Sequence, residues 1–291
     1  MNRLIGVMLL ASSCIAQPPA RCGFELQGNV IFVKGSIGNA KALDLVLDSG
    51  SARTSFDESL ATSLNWDLSL KALSATPNGQ QELSVVKDLE IQLCGKPVTE
   101  AIVMVYPLEF LSKAVKRRVD GIIGIELFRK FVVVIDYPTH TLQWIEPNGF
   151  VYAGSGEPLP VSYNRRLPIV AGSVTPFGGQ PIPVKLMVDS GGSAFHADFS
   201  KTFGKTSGLI STLREARDSK VTIFRGDTAS KTGKVQALRI GNVSVSEPEV
   251  QVLDYQTTDS TVMDGTLGSE FLKQFKVIFD LPHDRIIFER P

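Results

Sequence analysis

The sequence lacks an excess of either charge: 30 Lys and Arg balance 30 Asp and Glu across 291 residues. Gripping a phosphate backbone by counterion release needs a basic face, so no nucleic-acid partner is expected. The one basic cluster, Lys113 to Arg118, reads as a solvated loop. Histidine is scarce. Its three residues (His140, His196, His283) are too scattered for a metal site, and neither metal nor cofactor is expected. No apolar run is long enough to cross a bilayer as a helix. Gly191-Gly192-Ser193-Ala194-Phe195 fails the Gly-x-Ser-x-Gly nucleophile pattern at its last position, and no phosphate-cradling loop or dinucleotide fingerprint occurs.

Cysteine is nearly absent too, with three residues and no CxxC. The N-terminus reads as an export signal over residues 1–16: Arg3, then the apolar run Leu4–Ala11, then small residues ending at Cys14-Ile15-Ala16. Cleavage after Ala16 is the favoured reading. Ala11-Ser12-Ser13-Cys14 also weakly matches a lipoprotein box, and a lipidated Cys14 would be the one route to a membrane anchor. Cys22 and Cys94 then remain as an even pair, which suggests a disulfide in an exported, periplasmic or secreted chain. No long propeptide is evident between Gln17 and the first strand.

What the sequence does have is a repeat. Leu45-Val46-Leu47-Asp48-Ser49-Gly50-Ser51 aligns with Leu186-Met187-Val188-Asp189-Ser190-Gly191-Gly192. Asp120-Gly121-Ile122-Ile123-Gly124 aligns with Asp264-Gly265-Thr266-Leu267-Gly268. The second landmark follows the first by 72 residues in one copy and 75 in the other. Phe131–Asp136 resembles Phe275–Asp280, each followed by a proline turn and a last apolar strand. Alternating and short continuous apolar runs predict strands through most of the chain. Short helices are expected at Asp57–Leu64, Glu126–Lys130 and Glu270–Gln274. Residues 147–158, rich in Gly and Pro, read as a linker between an N-terminal lobe (17–146) and a C-terminal lobe (159–291).

Asp-Ser-Gly at the end of an apolar strand puts a carboxylate where rigid backbone turns, and the glycine permits close approach. One such turn is an ordinary Asx turn. Two in equivalent places, brought together by pseudo-twofold packing, form a carboxylate pair. Close carboxylates cannot both ionise cheaply, so they share a proton and titrate as a unit. Such a pair can activate water and protonate a carbonyl oxygen with no other catalyst.

At these residues the chain resembles the pepsin and retropepsin families, most closely bacterial retropepsin-like proteins in which two units are fused in one exported chain. The resemblance covers nearly all of residues 24–291. It implies an all-β fold of two homologous acid-protease-like β-barrel lobes related by pseudo-twofold symmetry, with few short helices. It implies aspartic endopeptidase activity, with Asp48 and Asp189 catalytic, and an extended peptide or unfolded protein as substrate between the lobes. Ser49, Gly50, Ser51, Ser190, Gly191 and Gly192 would support the pair. Ile122–Gly124 and Thr266–Gly268 would pass beneath the turns. A β-hairpin flap is implied, and the turn signals at Asn78-Gly79 and Gly226-Asp227 are its candidates, though neither carries the tyrosine of a pepsin flap. Ser51 offers a hydroxyl that could reach its carboxylate where Gly192 cannot, so Asp48 is expected to ionise more readily than Asp189. Both halves are present, so a monomer suffices. The rival reading is a catalytically silent peptide- or protein-binding module on the same fold. A two-carboxylate glycosidase would use similar chemistry, but the repeated turn gives no reason for one.

Overall fold

The computed structural model describes residues 19–76, 79–223, 226–254 and 263–291. The chain is mainly β, with short helices and curled sheets. Residues 1–18, and with them the export signal and Cys14, lie outside the described residues, as does Asn78. No described helix is long and apolar enough to cross a membrane.

Two sheets are built locally. The first takes its eight strands from residues 25–123, and the second spans residues 162–267. Each carries the same crossing. The strand before the first Asp-Ser-Gly (Ala40–Leu47) runs parallel to Gly121–Ile123. The strand before the second (Ile182–Val188) runs parallel to Gly265–Leu267. The aspartates that open those crossing strands are structural in both copies. Asp120 accepts from the Asp44 N–H and the Arg118 guanidinium. Asp264 accepts from the Lys185 N–H.

A third sheet belongs to both halves. Its order is Ala20–Gly23, Thr141–Ile145, Val132–Asp136, Lys276–Asp280, Arg285–Glu289, Pro158–Pro160. At its centre Val134 faces Ile278, flanked by Val133 opposite Phe279 and Ile135 opposite Val277. These continuous apolar runs are buried on both faces, as their composition requires. One face joins the main core through Val133, Ile135, Val277 and Phe279. The other, Val132, Val134, Ile278 and Ile287, is covered by Phe150 and Tyr152 of the predicted linker. That linker has no regular element between Ile145 and Pro158. It is nevertheless pinned, because the Tyr152 hydroxyl accepts from the Gly156 N–H and donates to Glu289.

A disulfide joins Cys22 to Cys94, tying the first strand of the shared sheet to the first-half sheet. The expected helices appear at Glu58–Ser63, capped by Asp57, at Ile125–Lys130, and at Ser269–Leu272, shorter and earlier than predicted. The basic run is a correction. Lys113–Val115 closes a helix, Glu109–Val115, rather than lying in a solvated loop. Arg117 is tucked over the Phe32 ring and paired with Glu25 and Asp44, because its apolar stem finds cover while its guanidinium finds two carboxylates.

Candidate active site

The two Asp-Ser-Gly turns meet. Each aspartate N–H is held by the crossing strand beneath it: Asp48 donates to the Ile123 carbonyl at 2.9 Å and Asp189 to the Leu267 carbonyl at 3.2 Å. The turns are then stitched to each other by their serines. The Ser49 hydroxyl donates to the Val188 carbonyl at 2.8 Å and accepts from the Ser190 N–H at 3.0 Å. The Ser190 hydroxyl donates to the Leu47 carbonyl at 3.1 Å and accepts from the Ser49 N–H at 2.9 Å. Both serines are fully buried. Each uses one donor and one acceptor, so a hydroxyl is the smallest group that satisfies the site.

The glycines set the approach. A Cβ at Gly50 would fall 2.6 Å from the Asp189 carboxyl carbon, and one at Gly191 would overlap the Asp48 carboxyl. Each aspartate also accepts from the glycine of its own turn, Gly50 N–H to Asp48 at 2.8 Å and Gly191 N–H to Asp189 at 2.9 Å. The carboxyl groups hydrogen-bond each other, and the two aspartates are half-buried where the serines are fully buried. Gly124 and Gly268 lie under the turns with no room for a side chain. A Cβ at Gly124 would stand 2.6 Å from the Arg53 backbone, and one at Gly268 would strike the Phe195 carbonyl.

Desolvation raises both aspartates above the ordinary carboxylate range. Asp189 is raised further, because the Asp48 charge and their mutual hydrogen bond hold a proton on it. The two carboxyls therefore hold one proton between them and titrate as a unit. The expected reason for this difference is wrong: the Ser51 hydroxyl donates to the Arg53 carbonyl, not to a carboxylate. Ser51 contributes its backbone N–H to Asp48 instead. Gly192 has no side chain for a different reason, since a Cβ there would sit 2.6 Å from an Asp189 oxygen.

Two further groups approach the pair. Tyr106, hydrogen-bonded to Ser55, is close enough that the Asp48 charge helps burial to raise its phenol. Asp198, hydrogen-bonded to Ser193, adds its charge to the field at Asp189. Sequence reading missed both, and no motif marks them. His196 lies to one side, its ring held against the Glu249 carbonyl. Of the flap candidates, Gly79, Gly226 and Asp227 lie in hairpin strands, and Asn78 lies outside the described residues. Lys71–Thr76 pairs with Gly79–Leu93 through Thr76 opposite Gly79, and Arg214–Ile223 with Gly226–Lys234 through Ile223 opposite Gly226 and Thr222 opposite Asp227. Among the described residues no cluster of His, Cys, Asp and Glu is arranged to hold a metal. No protein-family model matches the chain, and no curated protein matches it.

Proposed function

We propose that this chain is an exported aspartic endopeptidase, acting as a monomer, built from two homologous acid-protease-like lobes related by a pseudo-twofold axis. The axis is supported by the shared sheet, where Val134 meets Ile278, its counterpart in the repeat, and the flanking pairs exchange partners. The reciprocal Ser49 and Ser190 bonds have the same twofold form. An export signal is in keeping with the Cys22–Cys94 disulfide.

The observation that carries the reading is the pair itself: two half-buried aspartates whose carboxyls hydrogen-bond each other, on turns stitched together by two fully buried serines. In the proposed reaction ionised Asp48 takes a proton from water, which attacks the scissile carbonyl carbon. Protonated Asp189 donates to the carbonyl oxygen. The resulting gem-diol collapses, the C–N bond breaks, and the amine leaves with a proton returned through the pair. In this reading the hairpins of both halves would cover an extended peptide, which would pair with them as an added strand.

The pair must carry one proton, so activity falls at low pH as Asp48 protonates and at high pH as Asp189 ionises. Both groups are raised, so the working window should lie closer to neutral than that of ordinary carboxylates. The test is digestion of an unfolded protein from about pH 3 to about pH 8, with and without pepstatin. Wild type should release peptides, and Asp48→Asn and Asp189→Asn should each lose about 1,000-fold or more in kcat/KM. If wild type and Asp189→Ala leave the substrate equally intact throughout, the chain is a binding module instead.

A further inference from the structure

Strand register matches the two halves position by position on the face beside the carboxylates. In the first half Ser55 pairs with both Ile122 and Met104, Ile122 with Val46, and Met104 with Val85. In the second half Asp198 pairs with both Thr266 and Gln251, Thr266 with Met187, and Gln251 with Thr232. Three apolar positions have thus become polar, and a serine has become an acid. The first-half face is closed over by the helix Glu109–Val115 and makes a dry cluster of Val30, Phe32, Val46, Leu108, Val115 and Ile122.

The second-half face stays polar although it is buried. Thr232, Gln251 and Thr266 are each at most 8% exposed. The Gln251 amide spends one N–H on Ser230. Asp198 cannot point into the core, because its neighbours Ala197 and Phe199 fill that side. It points to the face of Thr266, one residue from the Leu267 carbonyl that holds Asp189. Ser193 bonds to its carboxyl. Its Oδ1 is shut from solvent with no hydrogen-bond partner among the described residues. An unmet buried carboxylate oxygen costs more than an apolar side chain of the same size would.

We propose that Asp198 is the specificity-determining acid of a polar pocket beside Asp189, and that this pocket takes a lysine or arginine side chain of the substrate. This rests on the peptidase reading above. Burial pushes Asp198 up to about 7 against the lowering effect of its bond to Ser193; an incoming ammonium or guanidinium supplies the opposite charge, and a donor for Oδ1, that the protein withholds. The geometry orients the chain of the substrate as well, since only one side of the scissile bond meets an acid.

The test uses the full chain and a library of octapeptides randomised at every position. Cleavage should select Lys or Arg at one fixed position on one side of the scissile bond. Between a lysine peptide and its norleucine analogue, Asp198→Ser, which copies Ser55, should lower the kcat/KM ratio about 100-fold, with Asp198→Asn between the two. A wild type that cleaves without preference, or an unchanged ratio in Asp198→Ser, overturns the pocket and leaves the peptidase reading standing. A second readout needs no turnover. Asp48→Asn should bind the lysine peptide about tenfold more tightly than the norleucine peptide by fluorescence anisotropy, and Asp48→Asn/Asp198→Ser should not. Wild type without turnover but with that binding preference overturns the peptidase reading alone; absence of the preference overturns the pocket.

Discussion

Asp48 and Asp189 follow strands that are paired in the same way and stand in different surroundings. Beneath them the halves agree bond for bond: a parallel crossing strand, an N–H to its carbonyl, a glycine under the turn, a serine reaching across. Around them the halves part. Tyr106 and Ser55 stand near Asp48, whereas Asp198 and Ser193 stand near Asp189. The difference teaches which features the chemistry demands twice and which a fused chain is free to vary. A pair that shares one proton needs two equal supports. It gains from unequal neighbours, because these decide which carboxyl holds the proton.

The hardest test of that agreement is at the glycines. Gly50→Ala and Gly191→Ala each push a methyl into the other half's carboxyl. Both should lower kcat/KM by about 1,000-fold or more, since displacing a reacting group by an ångström costs at least two orders of magnitude. Gly192→Ser makes the second half read like the first at Ser51, yet its Cβ meets Asp189 itself. It should be as damaging as the other two. Near-normal steady-state kinetics in any of the three would show that the carboxyls are not packed this closely.

The disulfide belongs to one half only, and no counterpart could form in the other. Cys22→Ser/Cys94→Ser opens a loop of 72 residues and should cost about 3 kcal/mol in urea denaturation. If the halves unfold as one unit the transition stays single. A new early transition confined to first-half signals would separate them. The two serines bring the comparison back to equality. Ser49→Ala and Ser190→Ala each strip a buried N–H and a buried carbonyl of a partner. Each should cost about 2 kcal/mol, with the two values within about 0.5 kcal/mol of each other. The double variant should cost less than the sum, because the bonds form one network.

The repeat made the carboxylate pair, the crossing segments and the mainly β character legible, because each rests on local pattern: an apolar run, a turn residue, a fixed spacing. Asp198 was illegible for a definite reason. It lies nine positions after Asp189, whereas its match Ser55 lies seven after Asp48, so the two align only through the strands they pair with. The helix Glu109–Val115 was missed as well. It has no side-chain cap at its start, so the sequence carries no entry signal, and packing of Leu111 and Val115 holds it instead. The shared sheet was read as two separate strand endings, since register between distant segments leaves no trace in either one.

The smallest contrast concerns a carboxylate far from catalysis. Glu100 lies mid-strand in Lys96–Tyr106, buried, with Oε1 unpartnered among the described residues. Counting back from the matched pair Met104 and Gln251, its counterpart is Glu247, exposed in a left-handed turn (φ 50°) beside Pro248. Where the second half breaks its strand and releases the acid to water, the first half continues and buries it. Burial, helped by the Glu126 charge, raises Glu100 to about 7, against the opposing charges of Lys130, Arg166 and Arg53. The folded chain therefore keeps a proton that the unfolded chain gives up near 4.5. Between those values the native state binds more protons, so stability falls as pH rises through the window and the deficit is complete above it. Glu100→Gln removes the ionisable group and should be close to neutral at about pH 4, then more stable than wild type by about 1–2 kcal/mol at about pH 8. Glu247→Gln changes an exposed side chain and should leave stability within about 0.5 kcal/mol of wild type. Thermal melts of both variants at the two pH values measure the difference. Equal behaviour would mean that the continuous strand of the first half leaves Glu100 as well solvated as the broken strand leaves Glu247.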